Sequence, residues 1–261
     1  MDFWDKIHEG LEDIHIVKRC EDCCFGKIDG YAVSIVGNQG TPIAPDDCSR
    51  LVLILESPHR NELKKLFVPA QGRAGKMLEK RFEDVFGKWF DGYALCIVNA
   101  VQYPCSLSLT MNYRVRALRD AIFRACLSDT CYVEDLKTRV LKYFRPNTGD
   151  VIINACTLGV TRIKSATNKS YVTDVVKNLC SENNIQKENV CIERVCHPAS
   201  DKWDDAAELN EMRIAVDDFM NKREELSVTT ATKERKWSHC CGSGGEGKEC
   251  GDSEVSRRVM K

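Results

Sequence analysis

The pattern of apolar and polar positions divides the chain into alternating strands and helices. Three runs are apolar almost throughout, Arg50–Glu56, Ala94–Asn99 and Asp150–Ala155, and Val190–Val195 reads as a further strand. Runs of this length without a polar face predict strands buried on both sides of a sheet. A β-branched run, Tyr31–Gly37, ends at Gly37–Gly40 and predicts a further strand and turn. Helical spacing predicts helices over Asp2–Lys18, Gly75–Phe86, Asn112–Cys126, Tyr132–Phe144, Tyr171–Cys180 and Asp204–Leu226. Buried strands alternating with helices predict an α/β fold, a three-layer α/β/α sandwich around a mainly parallel four-stranded sheet. Ligands in such folds bind beyond the carboxyl ends of the strands. Three strand ends carry polar groups there: Glu56-Ser57-Pro58-His59, Asn99 and Cys196-His197-Pro198-Ala199.

Composition divides the chain in two. Residues 1–226 form the α/β domain. Ser227–Lys261 holds Gly242-Ser-Gly-Gly245, many charges and almost no aliphatic residue, which predicts a largely disordered tail. His239, Cys240, Cys241 and Cys250 lie in it at no recognised zinc spacing. No apolar h-region follows Met1 and no run approaches the roughly 18 apolar residues of a membrane span, which predicts a cytoplasmic protein without a membrane partner.

Charge changes the picture only when it is localised. The chain carries 38 Lys plus Arg against 39 Asp plus Glu. Arg60–Lys88 has eight basic and four acidic residues, and Asn112–Arg145 again eight and four. Asp201–Lys261 has eleven basic and fourteen acidic residues. A positive body offset by an acidic end fits a nucleic-acid groove, and equally a set of solvated amphipathic helices.

Individually the motifs are ordinary. Glu56-Ser-Pro58 fixes a carboxylate at a rigid turn. Pro69-Ala70-Gln71-Gly72-Arg73-Ala-Gly75-Lys76 leads into a helix N-terminus suited to an anion. An amide at Asn99 both donates and accepts, as reading a base edge requires. His197 is pinned by Pro198. The fifteen cysteines have no role in a disulfide scaffold in a reducing compartment, so they are small hydrophobes or metal ligands.

In combination and in this order, the motifs resemble the uracil-DNA glycosylase superfamily, nearest its iron–sulfur branches, families 4 and 5. Leu55–His59 stands where those proteins carry their first turn, and Pro69–Leu78 where they carry Pro-Phe-Val-Gly-x-Ala-Gly-x-Leu-Leu. Ile97–Val101 matches the asparagine strand, Val151–Gly159 the strand with a trailing Leu-Gly, and His197–Ser200 the final His-Pro motif. The resemblance covers roughly Cys20–Phe219 and implies a monofunctional DNA glycosylase acting as a monomer on DNA.

It implies that Glu56 positions or activates water, that Asn99 holds the base edge and that His197 stabilises the departing base. Ser57, Pro58, His59, Ala70, Gln71, Gly72 and Ser200 would shape the substrate pocket. Arg73 and Lys76 would contact phosphate, and Trp203 would wedge into the duplex or else pack the last helix. Cys20, Cys23, Cys105 and Cys126 would hold a [4Fe–4S] cluster, with Cys24 and Cys131 as substitutes. Zinc, or no metal, are the alternatives on the same thiols. The spacings after Asn99 are longer than the family's.

Ala70 replaces the aromatic that closes the family's pocket, with Phe67 or Tyr103 the possible substitutes. An open pocket suits a base bulkier than uracil, as in members of the superfamily that excise glucosylated hydroxymethylcytosine from phage DNA. The alternative function is a non-catalytic iron–sulfur DNA-binding protein on the same fold.

Overall fold

A computed structural model describes residues 19–58, 67–105, 113–146, 148–159, 167–185, 190–191 and 195–241. The chain divides into a unit of residues 1–221 and a unit of residues 222–261. The sheet belongs to the first unit.

The fold is α/β, built on one mixed sheet. Its strands are β1 (Cys23–Lys27), β2 (Arg50–Leu55), β3 (Ala94–Asn99), β4 (Val151–Asn154) and β5 (Val190–Cys191). Their order across the sheet is β1-β3-β2-β4-β5. β2 pairs in parallel with both β3 and β4, and β4 in parallel with β5. β1 runs antiparallel to β3 at one edge, so the sheet has five strands and not four. The helices are α1 (Arg73–Phe86), α2 (Tyr113–Ser128), α3 (Thr130–Tyr143), α4 (Asn168–Glu182) and α5 (Ala206–Cys241).

Strand alternation sends successive side chains to opposite faces. Leu51, Leu53, Leu55, Leu95 and Ile97 pack with Leu78, Phe82 and Phe86 of α1 and with Met212 and Val216 of α5. Val52, Ile54, Cys96 and Val98 pack with Phe123 of α2, Leu136 of α3 and Val176 of α4. Because both faces are covered, β2 and β3 have no polar face to show in the sequence.

Two expectations fail for identifiable reasons. Tyr31–Gly37 is not a strand; it holds only a bridge between Asp29 and Ala32. Side chains take the partners a strand would need. The Glu79 carboxylate accepts from the backbone N–H of Ile35 and of Val36, each at 2.7 Å, and Gln71 Oε1 accepts from Gly37 N at 2.9 Å. The closing helix also passes Leu226 and continues to Cys241, fifteen residues into the stretch read as a tail. The expected first helix, Asp2–Lys18, lies outside the described residues.

One glycine in the Pro69–Leu78 motif is required by close approach. A Cβ on Gly75 would collide with the backbone oxygen of Ala70 and come 3.1 Å from Ile35 Cγ2. Neither neighbour is a free side-chain end. Gly75→Ala is expected to destabilise the protein by about 3 kcal/mol. That lowers the melting temperature by about 8 °C, read by thermal unfolding. An unchanged melting temperature would show that the 70–75 turn yields.

Candidate active site

The strand order defines where a ligand belongs. The chain leaves β2 through α1, on one face, and leaves the neighbouring β4 through α4, on the other. Such a reversal opens a crevice beyond the carboxyl ends of the two strands. Glu56 follows β2 there and Thr157 follows β4.

Glu56 is 3% exposed. Thr157 Oγ1 donates to its Oε2, and Arg119 Nε on α2 lies 3.2 Å from its Oε1. Arg119 also holds Asp120, with Nε and Nη2 2.9 and 2.6 Å from Oδ1. Asn168, the first residue of α4, donates from Nδ2 to the same Asp120 oxygen at 3.0 Å and hydrogen-bonds Glu56. Glu56 and Asp120 are thus bridged twice, by a guanidinium and by an amide. Burial pushes the Glu56 carboxyl upward, and Arg119, Thr157 and Asn168 pull it back only in part.

Gly159 makes this crowding possible. A Cβ there would come 2.6 Å from Asp120 Oδ2 and 3.2 Å from Asn168 Cγ, and its φ of +77° already favours glycine.

Arg119 also acts on His197. Burial and the cations Arg119 and Lys169 pull its pKa down to about 4, so the ring is neutral at pH 7. Its Nδ1 accepts from Ala199 N at 3.1 Å. The proton of the neutral ring is therefore on Nε2, which is a donor.

Asn99 is not brought to this cluster. It is the last residue of β3 and 1% exposed. Its Nδ2 points to Cys20 Sγ at 3.4 Å. Its N–H donates to Asp22 and its carbonyl accepts from Arg139.

Several residues of the expected pocket serve the scaffold. Gln71 Nε2 donates to Ile35 O at 2.9 Å and staples the 35–38 loop. Gly72 caps α1 and its carbonyl accepts from Lys76 N. Ser200 caps the 201–204 turn, its hydroxyl accepting from Lys202 N. Ala70 is 1% exposed and packs in the core beside α1, so it does not open a space for a larger base. Ser57 is partly buried and hydrogen-bonds Cys105; Pro58 is buried. His59 lies outside the described residues.

One of the three expected DNA contacts, Trp203, is corrected. Trp203 is not a wedge: it is 0% exposed. Its ring lies 6.3 Å from that of Phe86, and its Nε1 donates to Cys196 O at 3.0 Å. Arg73 is held by Asp201 and Asp204 at 2.8 and 2.9 Å, which explains the acids after the His-Pro motif. Lys76 is exposed on α1. The positive excess of the second basic segment is partly internal, because Arg119, Lys137, Arg139 and Arg145 are all ion-paired.

Of the four expected ligands, Cys105 and Cys126 lie near each other. Cys23 packs on the α1 side of the sheet and Cys105 and Cys126 on the α2 side. Cys20 faces Asn99, Cys24 lies opposite Cys96 across β1 and β3, and Cys131 is exposed. Burial pushes Cys23 and Cys126 up to about 12 and Cys105 upward. Among the described residues no three His, Cys, Asp or Glu side chains form a group that could hold a metal. The four expected thiols form no such group there, so no step is routed through a [4Fe–4S] cluster or a zinc ion.

The motifs in the sequence single out Glu56 and His197 but miss Arg119, Asp120, Thr157, Asn168 and Lys169. One signal was present: Thr167 is a capping residue whose side chain accepts from Ser170 N, placing the start of α4 at Asn168 instead of Tyr171.

Comparison with protein-family models, curated proteins and solved structures finds no match. Among the described residues no helix is long and apolar enough to cross a membrane.

Proposed function

We propose that the chain is a monofunctional DNA glycosylase that hydrolyses the N-glycosidic bond of a flipped pyrimidine, uracil or a 5-modified cytosine. The observation that carries this reading is the buried Glu56 at the β2–β4 crevice, held there by Arg119 and Thr157. It joins the motif order that resembles the uracil-DNA glycosylase superfamily.

Glycosidic cleavage needs a base for water and a donor for the departing nucleobase. Glu56, made more basic by burial, takes a proton from water. The Nε2–H of His197 donates to the oxygen of the leaving base as negative charge develops there. Arg119 and Lys169 favour that anion over long range and keep His197 neutral. A histidine that stays neutral donates a hydrogen bond without transferring its proton to solvent beforehand.

The test is mass spectrometry of bases released by the purified protein from DNAs containing uracil, hydroxymethylcytosine or glucosylated hydroxymethylcytosine. Release of one free base with an intact, alkali-labile strand is expected. Release from free nucleosides alone would reassign the site to a small-molecule hydrolase. Release of uracil with modified cytosine untouched would remove the modified-base half of the proposal.

A further inference from the structure

Asn168 carries an unexplained polar atom. The residue is 0% exposed, and its Oδ1 has no hydrogen-bond partner among the described residues. Buried acceptors are almost always satisfied, so an unpaired one beside a buried carboxylate marks a place for a donor. The amide's orientation is set by its surroundings. Asp120 and Glu56 accept from its Nδ2, and ionised carboxylates only accept. The carbonyl is therefore the end left over.

We infer that Asn168 Oδ1 is the second acceptor for the attacking water, with Glu56 the first. This rests on the glycosylase reading of the same site. Asp120 and Arg119 act as positioning residues. Asp120 accepts from both Arg119 and Asn168 and so fixes both against Glu56.

Water donates one O–H to Glu56 and the other to Asn168 Oδ1, leaving a lone pair directed at C1′ of the flipped nucleotide. The O–C1′ bond forms and the C1′–N bond breaks, its electron pair going to the base. The water proton held towards Glu56 transfers to it and is later lost to solvent, while the base anion takes one proton up. Products are an abasic deoxyribose and the free base.

Two acceptors select for a nucleophile with two O–H donors. Methanol has one. Base release in aqueous methanol therefore partitions between the ordinary abasic site, which alkali cleaves, and its methyl glycoside, which alkali does not. Wild-type protein is expected to exclude methanol, giving a methyl glycoside fraction about tenfold below the molar fraction of methanol. Asn168→Ala is expected to lose about 10- to 100-fold in single-turnover rate, the scale of one hydrogen bond to a charged network, with DNA affinity unchanged. Its methyl glycoside fraction should rise towards the molar fraction. Asn168→Ser, which restores a hydroxyl acceptor, should recover part of the discrimination.

Wild-type incorporation in proportion to methanol's concentration would overturn the inference without any variant, whether or not Asn168→Ala folds. So would an active Asn168→Ala with unchanged partition. No base release by wild-type protein from any DNA would instead remove the glycosylase reading itself.

Discussion

Glu56→Gln is expected to lower single-turnover base release by about 10³-fold, the scale of losing a positioned general base. Glutamine has nearly the same shape and can still accept from Thr157, but its amide cannot take a proton. Arg119 loses its 3.2 Å partner yet keeps Asp120 at 2.6 Å, so the crevice retains its cation and its shape. DNA affinity and its salt dependence should therefore match the wild type. The pH profile adds a second readout. Glu56 must be ionised to act, and burial places its titration above the usual carboxylate range. Wild-type rate should rise with pH through that titration and then level, and the variant should lack the rise. A variant rate within about tenfold of wild type would exclude Glu56 as the base.

Strands and site differ in how far they were legible. β2, β3 and β4 appear in the sequence because each is apolar on both faces, a consequence of helices covering both sides. β1 was hidden for a chemical reason. Its Cys23-Cys24 pair invites reading as metal ligands, yet alternation sends Cys23 to one core and Cys24 to the other, where both act as small hydrophobes. Tyr31–Gly37 misled in the opposite way, since β-branched residues there are held by Glu79 and Gln71 instead of by a neighbouring strand.

Glu56 and His197 stand out in the sequence as candidates because a strand-end carboxylate and a His-Pro turn lie beside recognisable neighbours. Arg119, Asp120 and Asn168 do not. Asp120 and Asn168 are 48 positions apart and meet only because α2 and α4 cover the same face. An Arg-Asp pair within a helix reads as surface, and nothing local marks it as buried. Asn99 is the converse: a polar strand end in the right motif whose amide faces Cys20.

Arg119→Met is the substitution expected to cost most stability, about 3–5 kcal/mol near pH 8. Methionine fills similar volume but leaves two buried carboxylates without their shared cation. Glu56 is 3% exposed and Asp120 0% exposed, so water cannot replace the guanidinium. The destabilisation should depend on pH with a definite sign. Arg119 lowers the Glu56 pKa against the larger effect of burial, and its removal raises that pKa further. A carboxyl whose folded-state pKa lies above its unfolded value favours folding below the unfolded value, and that contribution is lost as pH rises through the folded one. The variant should thus be nearer wild type at about pH 5 than at about pH 8, as denaturant titrations at the two values would measure. The same removal takes away the stronger of the two cations depressing His197, so its NMR titration should move up from about 4 towards 6.5. Equal destabilisation at both pH values, with His197 unmoved, would mean that Arg119 only packs against the crevice and does not set its charge.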